Sequence, residues 1–305
     1  MKKEALTLLL IGLLFVLGII GVLLRSEEFN NSFSSPDFQS SKDGIVVLHL
    51  AGPVGFSSNP YMPSSYGVEG LIDQLNILDD NPHVKALVIR INSPGGTVGA
   101  AQELYRSILK FKKKMKIPVV ASIGDIGASG AYYAALGADY IFANPGSMVG
   151  SIGAYIGNYD VSELAKQYGV DYHIYKSGAY KDMLSPWRKP STEEAQLLQS
   201  MITGIHRQFV TALIGSRKIT EPQALLLAQG QVYTGEDAMN VKLVDFLGGL
   251  QEAVEFAHHK AALSGEPVIL KHSGNGFRDV MSYWWSQLDS KFQGQLFSPA
   301  LPKLK

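Results

Sequence analysis

KALVIRINSPGGTVGAAQELYRSILKFKKKMKIPVVASIGDIGASGAYY, residues 85–133, reads as strand, turn, helix, strand, turn and the start of a helix. Lys85–Ile91 and Ile117–Ile123 are short apolar runs rich in β-branched residues, the pattern of strands buried on both faces. Between them, Val98–Phe111 places Ala101, Leu104, Tyr105, Ile108 and Phe111 at spacings of three and four, which predicts a helix with one apolar face. A strand, a covering helix and a second strand form a right-handed crossover, so the sheet is expected to be mostly parallel and covered on both sides. Working outward, Gly44–Leu50 (GIVVLHL), Tyr140–Ala143 and Tyr172–Lys176 are predicted as further strands. Thr192–Ile214 is predicted as a helix behind the N-cap Ser191, with Glu194 completing a capping box, and Glu221–Ala228 as another behind Thr220. No solenoid-type repeat interrupts this alternation. The fold class is α/β.

The chain has 305 residues, 46% of them apolar, and 27 basic against 27 acidic side chains. That composition is globular, and its length suits one large domain with appendages. A net charge of zero gives no grip on a polyanion, so nucleic acid is not expected as a partner. With no cysteine, disulfides, thiolate metal sites and a Cys nucleophile are all excluded. Residues 5–24, ALTLLLIGLLFVLGIIGVLL, carry no charge and as a helix would span the roughly 30 Å of a bilayer core. A cleaved signal would need a shorter apolar core and a small-x-small site, which RSEEFNNSF does not offer. Lys2 and Lys3 precede the run and Arg25, Glu27 and Glu28 follow it, which favours a cytoplasmic N-terminus at 1–4 and an extracytoplasmic remainder. The expected organisation is an anchor at 5–24 in contact with membrane lipid, a linker at 25–43, a domain at 44–275 and a tail at 276–305. That tail carries Met281, Tyr283, Trp284, Trp285, Leu288 and Phe292, an amphipathic pattern that suits packing on the domain, on a neighbouring subunit or on the membrane surface.

Three glycine-rich turns follow predicted strands: Asn92–Gly96, Gly124–Tyr133 and Asn144–Gly153. In an open α/β sheet such turns outline a ligand crevice at the carboxyl ends of the strands. No GxxxxGK[ST] and no GxGxxG opening a helix is present, so nucleotide binding is not expected. Ser129 stands where strand gives way to helix, a corner resembling a nucleophile elbow, with the Gly130 N–H beside it. A serine between glycines is equally a turn or N-cap residue, so the corner alone does not assign catalysis. None of the seven histidines lies in these turns. The polar stretch Lys176–Pro186 holds Lys176 and Lys181, and a lysine serves as a base where desolvation lowers its pKa, although a loop lysine is ordinarily solvated. Asp171, Asp182, Glu193 and Glu194 lack a histidine at ligand spacing, so no metal is expected, and no organic cofactor is implied either.

The ordered motifs NSPGG, ASGAYYAALGADYIFANPGSMVGSIG and KSGAYKDMLSP resemble the signal peptide peptidase A family, short form, of membrane-anchored Ser/Lys serine proteases of peptidase family S49. The resemblance covers about Gly44–Leu250 together with the anchor, and it implies a crotonase-like (ClpP-type) ββα superhelix preceded by one transmembrane helix. It implies Ser129 as nucleophile, Lys181 as general base, Ser151 as the residue that orients the lysine, and Gly96 and Gly130 as oxyanion-hole donors. It further implies a ring- or dome-shaped homo-oligomer, in which neighbouring subunits could share Ser and Lys, at the bacterial inner membrane with the catalytic domain in the periplasm. The substrates implied are peptides, namely remnant signal peptides and other short hydrophobic segments. The family usually reads ASGGYY, and Ala131 stands here for the second glycine, which predicts a narrowed S1 pocket. Two other readings are an acyl-CoA enzyme of the wider crotonase class, opposed by the anchor and the Ser/Lys pair, and a scaffold that has lost its chemistry.

Overall fold

Four of the five predicted apolar runs become strands of one sheet. In the computed structural model, which describes residues 42–56 and 67–270, β1 (Gly44–Ala51) leads to α1 (Gly67–Leu78), β2 (Val84–Ser93), α2 (Val98–Met115) and β3 (Val119–Ala128). β1 and β3 flank β2, both parallel to it, with Val47 opposite Val88 and Val88 opposite Val120. Consecutive residues Ile45 and Val46, Leu87 and Val88, and Val119 and Val120 are all fully buried. Since neighbours on a strand point to opposite faces, both faces of this sheet are covered. The α2 face Ala101, Leu104, Ile108 and Phe111 is buried as its spacing predicts, and the helix ends at Lys116 in the left-handed region.

β3 is longer than the predicted 117–123 strand, and this corrects the reading of the second glycine-rich turn. Gly124–Ala128 continues as strand, with Gly127 opposite Ser93 on β2, and only Ser129 turns. Glycine is required there by crowding, because a Cβ on Gly127 would lie 2.9 Å from the Ile123 side chain. The chain then forms α3 (Gly130–Ala135), β4 (Tyr140–Ala143) and β5 (Met148–Gly150). β3 is forked: residues 120–123 pair with β4 and 126–128 with β5, both parallel. Asn92 stitches the fork, its Oδ1 accepting from the Asp125 and Ile126 amides at 3.1 Å each while its Nδ2 donates to Asp125 Oδ2 at 3.1 Å.

Beyond β5 come α4 (Ser162–Gln167), α5 (Thr192–Arg217), α6 (Glu221–Leu227), β6 (Val232–Thr234), α7 (Gly235–Asn240), β7 (Phe246–Leu247), α8 (Leu250–Lys260) and β8 (Ile269–Leu270). β6 adds antiparallel to β5, β7 parallel to β4 and β8 parallel to β1, giving one mixed sheet in the order β6-β5-β3-β2-β1-β8 with β4 and β7 on the fork. α8 closes one face, Ala253, Val254 and Ala257 packing on Ile45, Ala86, Val88, Val120 and Phe142. The predicted capping box of Ser191 with Glu194 forms, and Thr220, predicted to precede the next helix, forms a further one with Gln223.

Tyr172–Lys176 is not a strand. Its alternating aromatic and β-branched pattern is strand-like, but no other strand runs beside it, and Tyr175 is 95% exposed. Trp187 stacks on Tyr172 at 5.6 Å between ring centroids in place of a ladder. The described residues belong to one compact unit. The anticipated anchor at 5–24, the linker up to 41 and the tail at 276–305 lie outside the described residues. Among the described residues, no helix is long and apolar enough to cross a membrane.

Candidate active site

β3 ends in a corner that holds Ser129 at φ 52°, ψ −124°, and α3 begins at the next residue. This is an uncommon conformation for an L-residue, at a cost of order 1–3 kcal/mol. The corner is fastened on both sides: the Ser129 amide donates to Gly150 O at 2.8 Å, and its carbonyl accepts from the Tyr133 amide at 2.9 Å. The side chain makes no capping bond to α3. Ser129 is half-buried and lines a small open cavity of about 20 Å³.

Gly96 and Gly130 line the same cavity. The Ser93–Thr97 turn is pinned against Val54, whose amide donates to Gly95 O and whose carbonyl accepts from the Thr97 amide, both at 2.8 Å. A Cβ on Gly96 would overlap Val54 O, and one on Gly130 would stand 3.3 Å from the Gly96 nitrogen. The two glycine backbones are thus in close approach, and neither amide donates to an acceptor among the described residues. Paired free amides beside a serine hydroxyl are what an oxyanion hole needs. Gly153 and the side chains of Val98, Ala101, Tyr133, Ile205 and Phe209 form the remaining, largely apolar wall. Tyr133 is the centre of that wall, edge-on to Tyr105 at 5.2 Å and tilted against Phe209 at 4.6 Å. Ala131 is fully buried and does not line the cavity, so its methyl does not narrow the pocket as the motif comparison predicts. Ala101, whose Cβ would lie 3.1 Å from a Cβ on Gly130, does line it.

Residues 111–264 match Peptidase family S49. The chain belongs to that family. A protein of Enterococcus faecium that carries the name signal peptide peptidase SppA is 32% identical over 280 residues, 91% of this chain and 80% of that one. A Synechocystis protein named as a protease is 39% identical over 61% of this chain and 66% of its own length. The chloroplast serine protease SPPA of Arabidopsis thaliana is 31% identical over 72% of this chain, which spans 33% of that protein. The resemblance read from the motifs is thereby borne out at the level of a serine protease of the signal peptide peptidase A family.

The S49 match contains Ser129, Gly130, Ser151 and Lys181, while Gly96 precedes it. Ser151 follows β5 at φ 50°, one residue beyond the Gly150 carbonyl that accepts from Ser129, and its own amide donates to Gln231 O at 2.8 Å. Ser129, Ser151, Gly96 and Gly130 are therefore brought to one end of β3 and β5. Lys181 is not. It stands exposed in a turn, its amide donating to Gly178 O at 3.2 Å, and it neither lines the Ser129 cavity nor bonds to Ser129 or Ser151.

Next to Lys181, Asp182 is one member of an ion-pair series at constant spacing that sequence reading did not find: Lys176, Asp182, Arg188 and Glu194. Opposite charges recurring every six residues were the available signal, but six matches neither helix nor strand periodicity. The Arg188 guanidinium, followed by Lys176, holds the Asp182 carboxyl well below the usual carboxylate range, and Arg188 with the Ser191 amide lowers Glu194 to about 2. Among the described residues no histidine joins the cavity wall; His206 Nε2 lies 2.6 Å from Ala228 O instead.

Proposed function

We propose that this protein is a membrane-anchored serine endopeptidase that uses Ser129 as nucleophile and Lys181 as general base. The observation that carries the reading is the pair of free Gly96 and Gly130 amides converging beside the Ser129 corner. Neutral Lys181, oriented by Ser151, takes the Oγ proton as Oγ attacks the substrate carbonyl carbon. The two amides stabilise the oxyanion; the intermediate collapses, the leaving amine takes the proton from the lysine, and Ser129 is left acylated. Water then attacks the ester, giving its proton to Lys181, and the serine is restored. Losing one oxyanion donor would cost about 2.7–4 kcal/mol of barrier.

The chemistry needs a lysine at Ser129, and Lys181 of the same chain lies away from the cavity. A neighbouring copy in a ring or dome supplies it in this reading. Support comes from the stretch around Lys181, where the large side chains Tyr155, Tyr159, Tyr168, Tyr175 and Trp187 are all exposed, as groups that meet a partner would be. The finer architecture proposed is the crotonase-like ββα superhelix, tethered by a helix at 5–24 in the bacterial inner membrane with the domain outside the cytoplasm. Substrates would be remnant signal peptides and other short hydrophobic segments, with apolar P1 side chains seated against Ala101, Tyr133 and Phe209.

The test is the full chain assayed on fluorogenic peptides bearing Ala, Leu or Lys at P1, beside Ser129→Ala and Lys181→Ala. Cleavage after Ala or Leu, abolished in both variants, is expected. Retained activity in either variant overturns the dyad, and a preference for Lys at P1 overturns the pocket assignment.

A further inference from the structure

From residue 151 to 191 the chain forms no strand and only the six-residue α4, and most of its apolar side chains are exposed. Packing in a hydrophobic core therefore does not fix the Lys181 turn within one chain. What is buried in this stretch is charge: the carboxylates of Asp182 and Glu194 are 6% and 4% exposed. Arg188 bridges them with its whole fork. Its Nε and Nη2 donate to Asp182 Oδ2 and Oδ1 at 2.8 Å each, and its Nη1 and Nη2 donate to Glu194 Oε2 and Oε1 at 2.7 and 2.6 Å.

Each end of this bridge is tied further. At the near end, Lys176 Nζ donates to Asp182 Oδ1 at 2.6 Å and to Ala179 O at 2.9 Å, closing the turn that contains Lys181. At the far end, Glu194 Oε2 accepts from the Ser191 amide at 2.7 Å within the capping box that starts α5. α5 is the helix that brings Ile205 and Phe209 to the Ser129 cavity. Two positive and two negative groups compensate each other, and both Asp182 oxygens are occupied by partners other than Lys181. We infer that Arg188 is a positioning residue for the proposed base, clamping the residue after Lys181 to the capped start of α5 through a bidentate grip on Asp182 and Glu194.

A planar fork holding two carboxylates sets direction as well as distance, which a lysine in its place would not do. A misplacement of about 1 Å in a catalytic group can cost about a hundredfold in rate. The inference rests on the Ser129/Lys181 reading, so its test includes that reading as a control. The full chain is assayed on a fluorogenic apolar peptide, with kcat, KM and assembled mass measured for the parent, Lys181→Ala, Arg188→Met, Arg188→Lys and Glu194→Gln. Arg188→Met is expected to lower kcat by about a hundredfold with KM and assembled mass unchanged. Arg188→Lys should recover about a tenth of the parental kcat, because it keeps the charge and loses the fork. Glu194→Gln keeps an acceptor for the capping box, so α5 still starts correctly, and it should fall between the parent and Arg188→Met. Parental kcat in Arg188→Met, with Lys181→Ala inactive, overturns the positioning role and leaves the dyad standing. Parental activity in Lys181→Ala overturns the dyad itself. A loss in Arg188→Met that appears as raised KM or reduced assembled mass also overturns the inference, since it assigns Arg188 to structure alone.

Discussion

Ser129 holds its unusual backbone angles because the hydrogen bond from its amide to the Gly150 carbonyl and the start of α3 leave the corner no alternative. Ser129→Gly, which accepts a positive φ without strain, is expected to unfold at higher urea than Ser129→Ala, by about 1 kcal/mol, with both variants inactive. Equal midpoints would mean that the corner stores no strain. Gly95 makes the opposite case: at φ +95° a Cβ there would lie 2.7 Å from both Gly130 N and the Ser129 Cβ. Gly95→Ala should therefore reduce kcat by about a hundredfold by displacing the oxyanion donors, while KM changes little; a purely thermal defect with normal kcat would contradict this. These positions were legible in the sequence because turn chemistry is local: NSPGG and ASG announce tight backbone wherever they occur. Lys181 was legible only through the family motif. Nothing in SGAYKD says where the amine will point, since its surroundings come from Arg188, Glu194 and surfaces distant along the chain.

At the scale of elements, α2, α5 and the strands β1, β2 and β4 were readable because period and caps agree. β3 outran its prediction since Gly124 and Gly127 look like loop residues and are glycine for lack of room beside Ile123 and Arg90. Tyr172–Lys176 failed for the converse reason, local strand character without a neighbouring strand. The capped start of α5 carries a pH signature. Arg188 foremost, then the Ser191 amide, lowers Glu194 from 4.5 to about 2, so the stabilisation is complete above about pH 4.5 and is lost as pH falls toward 2. Thermal melts from pH 6 to pH 2 should show the parent losing Tm steeply below about 4.5 and Arg188→Met losing it less steeply from a lower start; parallel curves would sink this assignment. α3 is tied to the segment between α7 and β7 by the buried Tyr132 hydroxyl, which donates to Leu243 O at 2.6 Å. Tyr132→Phe leaves that carbonyl unpaired and should cost about 1–3 kcal/mol in urea unfolding without altering KM.

For the molecule as a whole, the exposed aromatic surface around Lys181 is where copies are proposed to meet. Tyr155 and Tyr175 are 92% and 95% exposed. The double variant Tyr155→Glu, Tyr175→Glu should therefore keep its melting temperature while its assembled mass and activity fall together; an inactive variant of parental mass would separate catalysis from assembly. The fork in β3 bears on where the molecule yields first. The Ser129 amide is held at the carboxyl end of a strand paired on both sides, whereas the Lys181 turn lies outside every strand and helix and is held by turn hydrogen bonds and by Arg188, itself 32% exposed, on Asp182. Hydrogen exchange should accordingly place the Ser129 amide among the slowest, released only by global unfolding, and the amides of 178–185 among those freed by local opening. The nucleophile is thus built into the last part of the fold to open and the proposed base into one of the first, so mild heat or denaturant would switch off proteolysis reversibly while the core remains intact.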